Sequence, residues 1–299
     1  ELYQVVAIAS VIGDMTHSLS SLCEQVCDIS TLTTNVERIY DTIDTPLEIT
    51  DCDGAEELTN CKGDVRFEHV DFSYVEGIPV LKNFSLEAKA GQTIALVGAT
   101  GSGKTTVVNL LSRFYDVTSG AIIIDGKDIR SYSVNSLRRS VGAMMQDTFM
   151  FGATVMENIR FARPSATDEE CIEAAKAAHA DGFITRLPKG YDTVIGENGA
   201  LSGGERQLLS FARLILADPA IIVLDEATSH VDTQTEMEVQ SSLKTLLANR
   251  TSFVIAHRLS TIRGADKIVY IADGEIAEQG THEELMRLNG NYAKLIKSA

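Results

Sequence analysis

Cysteine is scarce and unpatterned. The five residues Cys23, Cys27, Cys52, Cys61 and Cys171 are odd in number and form no C-x-x-C pair. A disulfide framework and a structural metal site are therefore not expected, and a reducing compartment is. Cys23 and Cys27, four residues apart, are read as small apolar residues sharing a helix face. Positive charge is also short, with 26 Lys and Arg against 42 Asp and Glu, a net charge of −16. That balance argues against a general nucleic-acid binder and against a polybasic membrane anchor. It leaves room for an anion site, because such sites work through local geometry. No run of 18 uncharged apolar residues occurs, so a complete transmembrane helix is not expected. The chain opens on Glu1 with no basic stretch before an apolar run, so no signal peptide is expected. Internal repeats and low-complexity segments are missing too.

What is present is a globular composition, 44% hydrophobic and 23% charged, with enough chain for one large domain or two small ones. Residues 1–44 place apolar side chains at helical spacing, from Leu2, Val5, Ala9 and Ile12 through Leu22 and Val26 to Val36, Ile39 and Ile43. A helix of that length reaches roughly 60 Å. Periodicity alone leaves two readings open, the end of something buried in a membrane and a solvated coiled-coil arm. The helix should stop at Thr45-Pro46. Residues 45–63 are polar and acidic and read as a linker. The negative charge concentrates here: residues 1–61 hold 12 acidic side chains and one basic, Arg38. Beyond the linker, strands are expected over 65–74, near 79–86 and 92–97, and at 121–124, 142–145, 220–224, 251–255 and 267–271. Helices are expected at 104–113, 168–179, 204–216, 233–248 and 282–288. Such alternation predicts an α/β fold with a mostly parallel sheet and crossover helices.

Three motifs carry the chemistry. Residues 98–105 read Gly98-Ala99-Thr100-Gly101-Ser102-Gly103-Lys104-Thr105, a full G-x-x-x-x-G-K-[ST] match followed by Thr106. An apolar strand precedes it and a helix follows, the context the motif requires. Its glycines let backbone N–H groups wrap a phosphate, Lys104 can reach β- and γ-phosphates, and Thr105 can offer a hydroxyl to Mg²⁺. Alone, this leaves kinases, GTPases, motors and repair ATPases open. The second motif, Ile221-Ile222-Val223-Leu224-Asp225-Glu226, is a buried strand with two carboxylates at its C-terminal end, where parallel sheets bind ligands. Asp225 is placed to hold Mg²⁺, and Glu226 to orient or deprotonate the attacking water. The third is Leu201-Ser202-Gly203-Gly204-Glu205-Arg206-Gln207. Ser202, Gly203 and Gly204 offer a hydroxyl and bare backbone at a helix start, a second anion site. By itself Ser-Gly-Gly is simply a capped helix. With the other two motifs it implies two subunits placed head to tail, each lending one cradle to the other's ATP.

Over residues 64–299 this set resembles the nucleotide-binding domain of an ABC transporter. The resemblance implies a P-loop NTPase core with an antiparallel β subdomain and a helical lid over about 152–218. It also implies further roles. Tyr74 matches the aromatic that stacks on adenine, Gln146 the glutamine near Mg²⁺ and the water, and His257 the switch histidine on the γ-phosphate. Ser229-His230-Val231-Asp232 resembles the loop that crosses the dimer, with His-Val where Ala-Leu is commoner. Gly196-Glu197-Asn198-Gly199 resembles the exporter-type loop before the signature. Glu205 departs from the usual Gln, and His230 has no assigned role. Glu37-Arg38-Ile39-Tyr40-Asp41-Thr42-Ile43-Asp44 matches the ending of the last membrane helix of exporters, so residues 1–44 resemble its cytoplasmic extension.

The implied function is an ATP- and Mg²⁺-dependent motor of a bacterial multidrug or lipid exporter. Its partners are a second ATPase domain, identical or paralogous, and a transmembrane domain of the same polypeptide; no nucleic acid is implied. It would sit at the cell membrane with the ATPase on the cytoplasmic side. A soluble ABC-type ATPase acting on DNA or ribosomes, and a regulatory module that binds ATP without hydrolysis, are the competing expectations. The acidic charge and the exporter-like helix weigh against the first, and Glu226, His257 and Gln146 against the second.

Overall fold

A computed structural model describes residues 2–145, 149–196, 201–225, 233–256 and 259–298. The chain divides into two compact units, residues 1–48 and 49–299. The first is α1 (Leu2–Ile43), none of whose residues is buried. Six of its hydroxyls bond within the helix: Thr16, Ser18, Thr31, Thr33, Thr34 and Thr42 each donate to the carbonyl four residues back. The helix stops three residues before Pro46, one residue short of the expected end. By length and composition α1 qualifies as a membrane-crossing helix. The expectation of no complete span demanded an uncharged run. That was too strict, because Asp14 is the one charged side chain in residues 2–19.

The second unit contains two main sheets. One is antiparallel and joins β1 (Val65–Phe72), β2 (Leu81–Ala88), β4 (Ser119–Ile124) and β5 (Lys127–Asp128) in the order β2-β1-β4-β5. The other runs β12-β11-β3-β10-β9-β6 and comprises β3 (Thr93–Val97), β6 (Val141–Met144), β9 (Ile221–Asp225), β10 (Thr251–Ile255), β11 (Lys267–Ala272) and β12 (Glu275–Gly280). All its pairings are parallel except β11 with β12. A short pair, β7 (Ala153–Thr154) and β8 (Val194–Ile195), stands apart. The helices are α2 (Lys104–Leu111), α3 (Val134–Ser140), α4 (Val155–Arg160), α5 (Asp168–Ala177), α6 (Asp181–Ile184), α7 (Gly203–Ala217), α8 (Thr233–Leu247), α9 (Leu259–Arg263), α10 (His282–Leu288) and α11 (Asn291–Ser298).

The parallel sheet is buried on both faces, which is why its inner strands are dominated by apolar residues on both faces, as in Ile94–Val97 and Ile221–Leu224. Successive residues of β3 alternate between two cores. Ile94 and Leu96 join one with Phe67, Phe84, Val107, Leu110, Phe253 and Ile255. Ala95 and Val97 join the other with Leu208, Phe211, Val254 and Tyr292. Phe67 fastens the antiparallel sheet to the parallel one, edge-on to Phe84 at 5.5 Å and to Phe253 at 6.2 Å. Residues 49–63, expected as a linker, belong to the second unit. Leu58 is buried in the core, and Glu56 pairs as an isolated bridge with Tyr132.

Candidate functional site

The site grows out of the carboxyl end of β3. The chain leaves the sheet at Gly98 and re-enters a helix at Lys104. Two glycines make the turn possible. Gly98 has φ +148°, and a Cβ there would lie 2.3 Å from the carbonyl oxygen of Ile271. Gly103 has φ +106°, and a Cβ would meet Leu81 Cδ2 at 2.8 Å. Gly103 is also the N-cap of α2 and supplies no side-chain acceptor to its first turn. By contrast, α4, α5, α7 and α10 each open with a Ser or Thr and a Glu in a reciprocal capping box. The donors of α2 are thus left to an anion, reinforced by the helix dipole.

Lys104 folds back over the loop, and its Nζ donates to Gly98 O at 3.0 Å and Ala99 O at 2.7 Å. Burial pushes its pKa down, and the charge of Asp225 pushes it back up. Asp225 ends β9, in register with Ile255 of β10, which in turn pairs with Leu96 of β3. Sheet register therefore sets the carboxylate beside the loop. The Ser102 hydroxyl is buried and has no hydrogen-bond partner among the described residues. An uncapped helix, glycines no side chain could replace and an orphaned hydroxyl together fit a bound phosphate group. Thr105 is exposed, and its hydroxyl and the Asp225 carboxylate are an oxygen-donor set of the kind Mg²⁺ takes.

Tyr74 is half-exposed beside this helix. Its Oη lies 3.2 Å from Thr106 Oγ1 and accepts from Asn109 Nδ2 at 3.3 Å. Its ring meets Phe72 at 4.8 Å and Tyr115 at 5.0 Å, both edge-on. The polar end is thereby tied to α2, while the ring keeps exposed surface. Thr106 itself is buried and spends its hydroxyl on Tyr74. Thr100 and Gly101 complete the loop.

At the signature, Leu201 is buried while Ser202 and Gly203 are exposed and Gly204 is buried at the start of α7. Glu205 N donates to Ser202 Oγ at 3.3 Å, and Ser202 N donates to Glu205 Oε2 at 2.8 Å. Gln closes the same box as Glu, which accounts physically for Glu205. Gln146, Glu226 and His257 lie outside the described residues, as do Glu197-Asn198-Gly199 and Ser229-His230-Val231-Asp232.

Sequence reasoning missed a polar hub after the Gln146 position. Asn158, fully buried in α4, accepts from Phe151 N at 2.9 Å and donates Nδ2 toward the carbonyls of Phe151, Ala153 and Thr154. Arg213 of α7 donates to Phe149 O, Asn158 O and Asn158 Oδ1 at 2.7, 2.8 and 2.5 Å. Its burial pushes the guanidinium pKa down. The signal was available as a lone cation inside the apolar run 208–216. Beside this hub a hollow of about 310 Å³ is lined by Met144, Met145, Phe149, Phe151, Phe161 and Leu214, among others.

Comparison with known proteins bears on these features. The ABC transporter family model matches residues 81–229. A fatty acid ABC transporter ATP-binding/permease protein of Mycobacterium tuberculosis is 46% identical over 298 residues, 99% of this chain and 47% of that protein. An ATP-dependent lipid A-core flippase of Syntrophus aciditrophicus is 51% identical over 260 residues, 87% of this chain and 43% of that protein. The structure of a bacterial Atm1-family ABC exporter with ATP bound superposes with a TM-score of 0.83 at 40% identity, covering 90% of this chain and 47% of that one. The chain thus spans less than half the length of the relatives it matches. With the phosphate loop, the Asp225 strand and the signature helix in family order, the chain belongs to the ABC transporter family.

Proposed function

We propose that this chain is the ATP-hydrolysing motor of an ABC exporter that moves a small molecule, drug or lipid across the cell membrane. The observation that carries it is the uncapped start of α2, with Lys104 held over the loop and charge-coupled to Asp225. Residues 1–44 are the cytoplasmic extension of the last transmembrane helix, 45–48 lead out of it, and 49–299 form the ATPase domain with a lid over about 152–218. The membrane domain lies in the same polypeptide, and the ATPase faces the cytoplasm.

The loop amides of 98–106 and Lys104 bind and orient the β- and γ-phosphates, and Tyr74 supports the adenine by ring stacking. Thr105, Gln146 and Asp225 would hold Mg²⁺, which when bound neutralises charge on the transferring phosphoryl group. Glu226 takes a proton from the attacking water or holds it in line, and His257 and Lys104 stabilise charge on the γ-phosphate. Ser202, Gly203 and Gly204 of a second, head-to-tail domain close over the same nucleotide. Closure therefore needs the γ-phosphate, and hydrolysis removes the bridge. The segment through Phe149, Phe151 and Glu157 passes closure to the membrane domain.

The test is Glu226→Gln in the full chain. It should bind ATP, dimerise in its presence and release phosphate very slowly in single-turnover assays. Near-normal turnover would exclude Glu226 as the base, and failure of the unaltered chain to hydrolyse ATP at all would overturn the motor assignment. The unaltered chain alone should show weak activity that rises with protein concentration, because dimerisation limits it.

A further inference from the structure

Residues 49–64 have the composition of a solvated connector, yet they are bound to the second unit along their length. Asp51 Oδ1 accepts from Val134 N at 2.7 Å in the first turn of α3. Glu56 N donates to Ser131 O at 2.9 Å, and Ser133 N donates back to Glu56 O at 2.8 Å. Leu58 is buried, and its N–H donates to Ser136 Oγ at 3.0 Å. Lys62 N and Asp64 N both donate to the Asp125 carboxylate, at 2.7 and 3.0 Å. Two of its acidic side chains also reach basic partners at the surface: Glu56 pairs with Lys127, and Glu57 with Arg139.

One residue connects this strap to the phosphate helix. Arg113 stands just past the end of α2, in the left-handed conformation at φ +49° and only 3% exposed. Its Nε donates to Asp116 Oδ1 at 3.0 Å, Nη1 to Tyr132 O at 3.3 Å and Nη2 to Thr50 O at 3.2 Å. Its own carbonyl accepts from Arg138 Nη2 at 2.9 Å. A planar guanidinium can serve three acceptors on three segments at once, and an ammonium of similar charge cannot hold that fork. Tyr132 is buried and Asp116 half-buried, so their loss of a partner is costly; Thr50 is exposed, and Arg113 is what ties its carbonyl down.

We propose that residues 49–64 form a docked strap coupled to nucleotide binding through α2, with Arg113 as the positioning residue at the junction. The helix between them is short and rigid. It has eight residues, and Thr106, Val107, Val108, Leu110 and Leu111 are buried. Ordering its first turn around a phosphate is therefore transmitted to its last turn, where Arg113 grips Thr50. Thr50 lies seven residues beyond the end of α1 in the chain, so the strap is the first part of the ATPase unit to meet force arriving along the polypeptide. Linkage is reciprocal: whatever tightens the strap favours nucleotide, and nucleotide tightens the strap. This rests on the assignment of the loop as the nucleotide site.

The test is amide hydrogen exchange on the full chain, with and without a nonhydrolysable β,γ-imido ATP analogue. Strap amides at Ala55, Glu56 and Leu58 should exchange at least about fivefold more slowly with the analogue bound, alongside protection of 99–106. In Arg113→Lys at saturating analogue, the loop should stay protected while the strap's bound-to-free ratio returns toward one. A merely structural Arg113 would speed strap exchange equally in both states and leave that ratio unchanged, which would overturn the proposal. A second variant, Asp51→Ala with Leu58→Ser, loosens the strap and leaves Arg113 intact; it should weaken analogue binding several-fold. Unaltered affinity in that variant, or strap amides indifferent to the analogue in the unaltered chain, would also refute the coupling. Absence of protection at 99–106 would instead overturn the nucleotide site itself, and the coupling with it.

Discussion

Glu205 and Ser202 form a reciprocal pair, in which each backbone N–H donates to the other residue's side chain, at 2.8 and 3.3 Å. The pair fixes the first turn of α7 and leaves the Ser202 hydroxyl hydrogen available to an anion. Its chemistry needs an acceptor at position 205, not a charge. Glu205→Gln should therefore keep thermal stability within about 0.5 kcal/mol, while Glu205→Ala should cost about 1 kcal/mol. The Gln variant also removes a negative charge beside the second anion cradle. In a Glu226→Gln background it should dimerise at lower ATP concentration than Glu226→Gln alone, as read by light scattering. A weaker dimer would mean that the carboxylate itself contacts the partner.

The Tyr74 hydroxyl is tied to Thr106 and Asn109, whereas its ring keeps exposed surface. These two ends separate by substitution. Tyr74→Phe removes the hydroxyl only and should cost about 1 kcal/mol of stability with less than about threefold loss of ATP affinity. Tyr74→Ala removes the stacking surface and should weaken ATP about tenfold by calorimetry, a stacking-scale loss of 1–2 kcal/mol. Equal losses in both variants would place the hydroxyl, not the ring, against the nucleotide.

The parts of the fold visible in the sequence were those whose signal is local. β3 from Ile94 and β9 as far as Leu224 are apolar because both faces are buried, and the glycines between β3 and α2 mark a turn that excludes Cβ atoms. α7 was expected over 204–216 and spans Gly203–Ala217, lengthened by its capping box. β12 was missed because Glu-Ile-Ala-Glu-Gln-Gly is a polar edge strand whose register comes from β11. The strap was read as a linker because Asp51, Glu56 and Leu58 find partners near residues 131–136, a relation no local pattern contains. Asn158 and Arg213 share that difficulty, since each acquires meaning only from carbonyls on another segment.

Asn158 illustrates the energetic stake of such a residue. It satisfies three carbonyls and one N–H in the segment 151–154 and also accepts from Arg213. Asn158→Ala leaves several of these without partners and should destabilise the chain by about 3 kcal/mol, measured as a lowered urea midpoint at unchanged slope. Asn158→Asp keeps the acceptors and loses the donors. It should fall between the two, because the new carboxylate can pair with Arg213. A variant as stable as the unaltered chain would show that water replaces the amide.

Stability should fall at both ends of the pH scale, for opposite reasons. The Glu157 and Glu284 carboxylates accept the backbone N–H of Thr154 and Thr281, which holds both below the ordinary 4.5. Asp71, bonded first by the Ser119 hydroxyl and then by Asn83 N, is held below 3.8. For these groups the unfolded chain binds more protons, so their stabilisation is complete above 4.5 and is lost as pH falls through the depressed values. Burial, aided by the Asp125 charge, pushes the Cys61 thiol from 9.0 up to about 12. Here the unfolded chain loses its proton first, so stability is complete below 9.0 and is lost as pH rises toward 12. Melting temperatures should therefore be level between about pH 5 and 8 and decline on either side. Glu157→Gln combined with Glu284→Gln keeps the capping acceptors without the titration and should flatten the acid limb. Cys61→Ala should make the alkaline limb shallower and leave the acid limb as it is, the buried Cys171 thiol, also pushed up by burial, supplying part of what remains; an unchanged alkaline limb in that variant would remove the Cys61 thiol as a source.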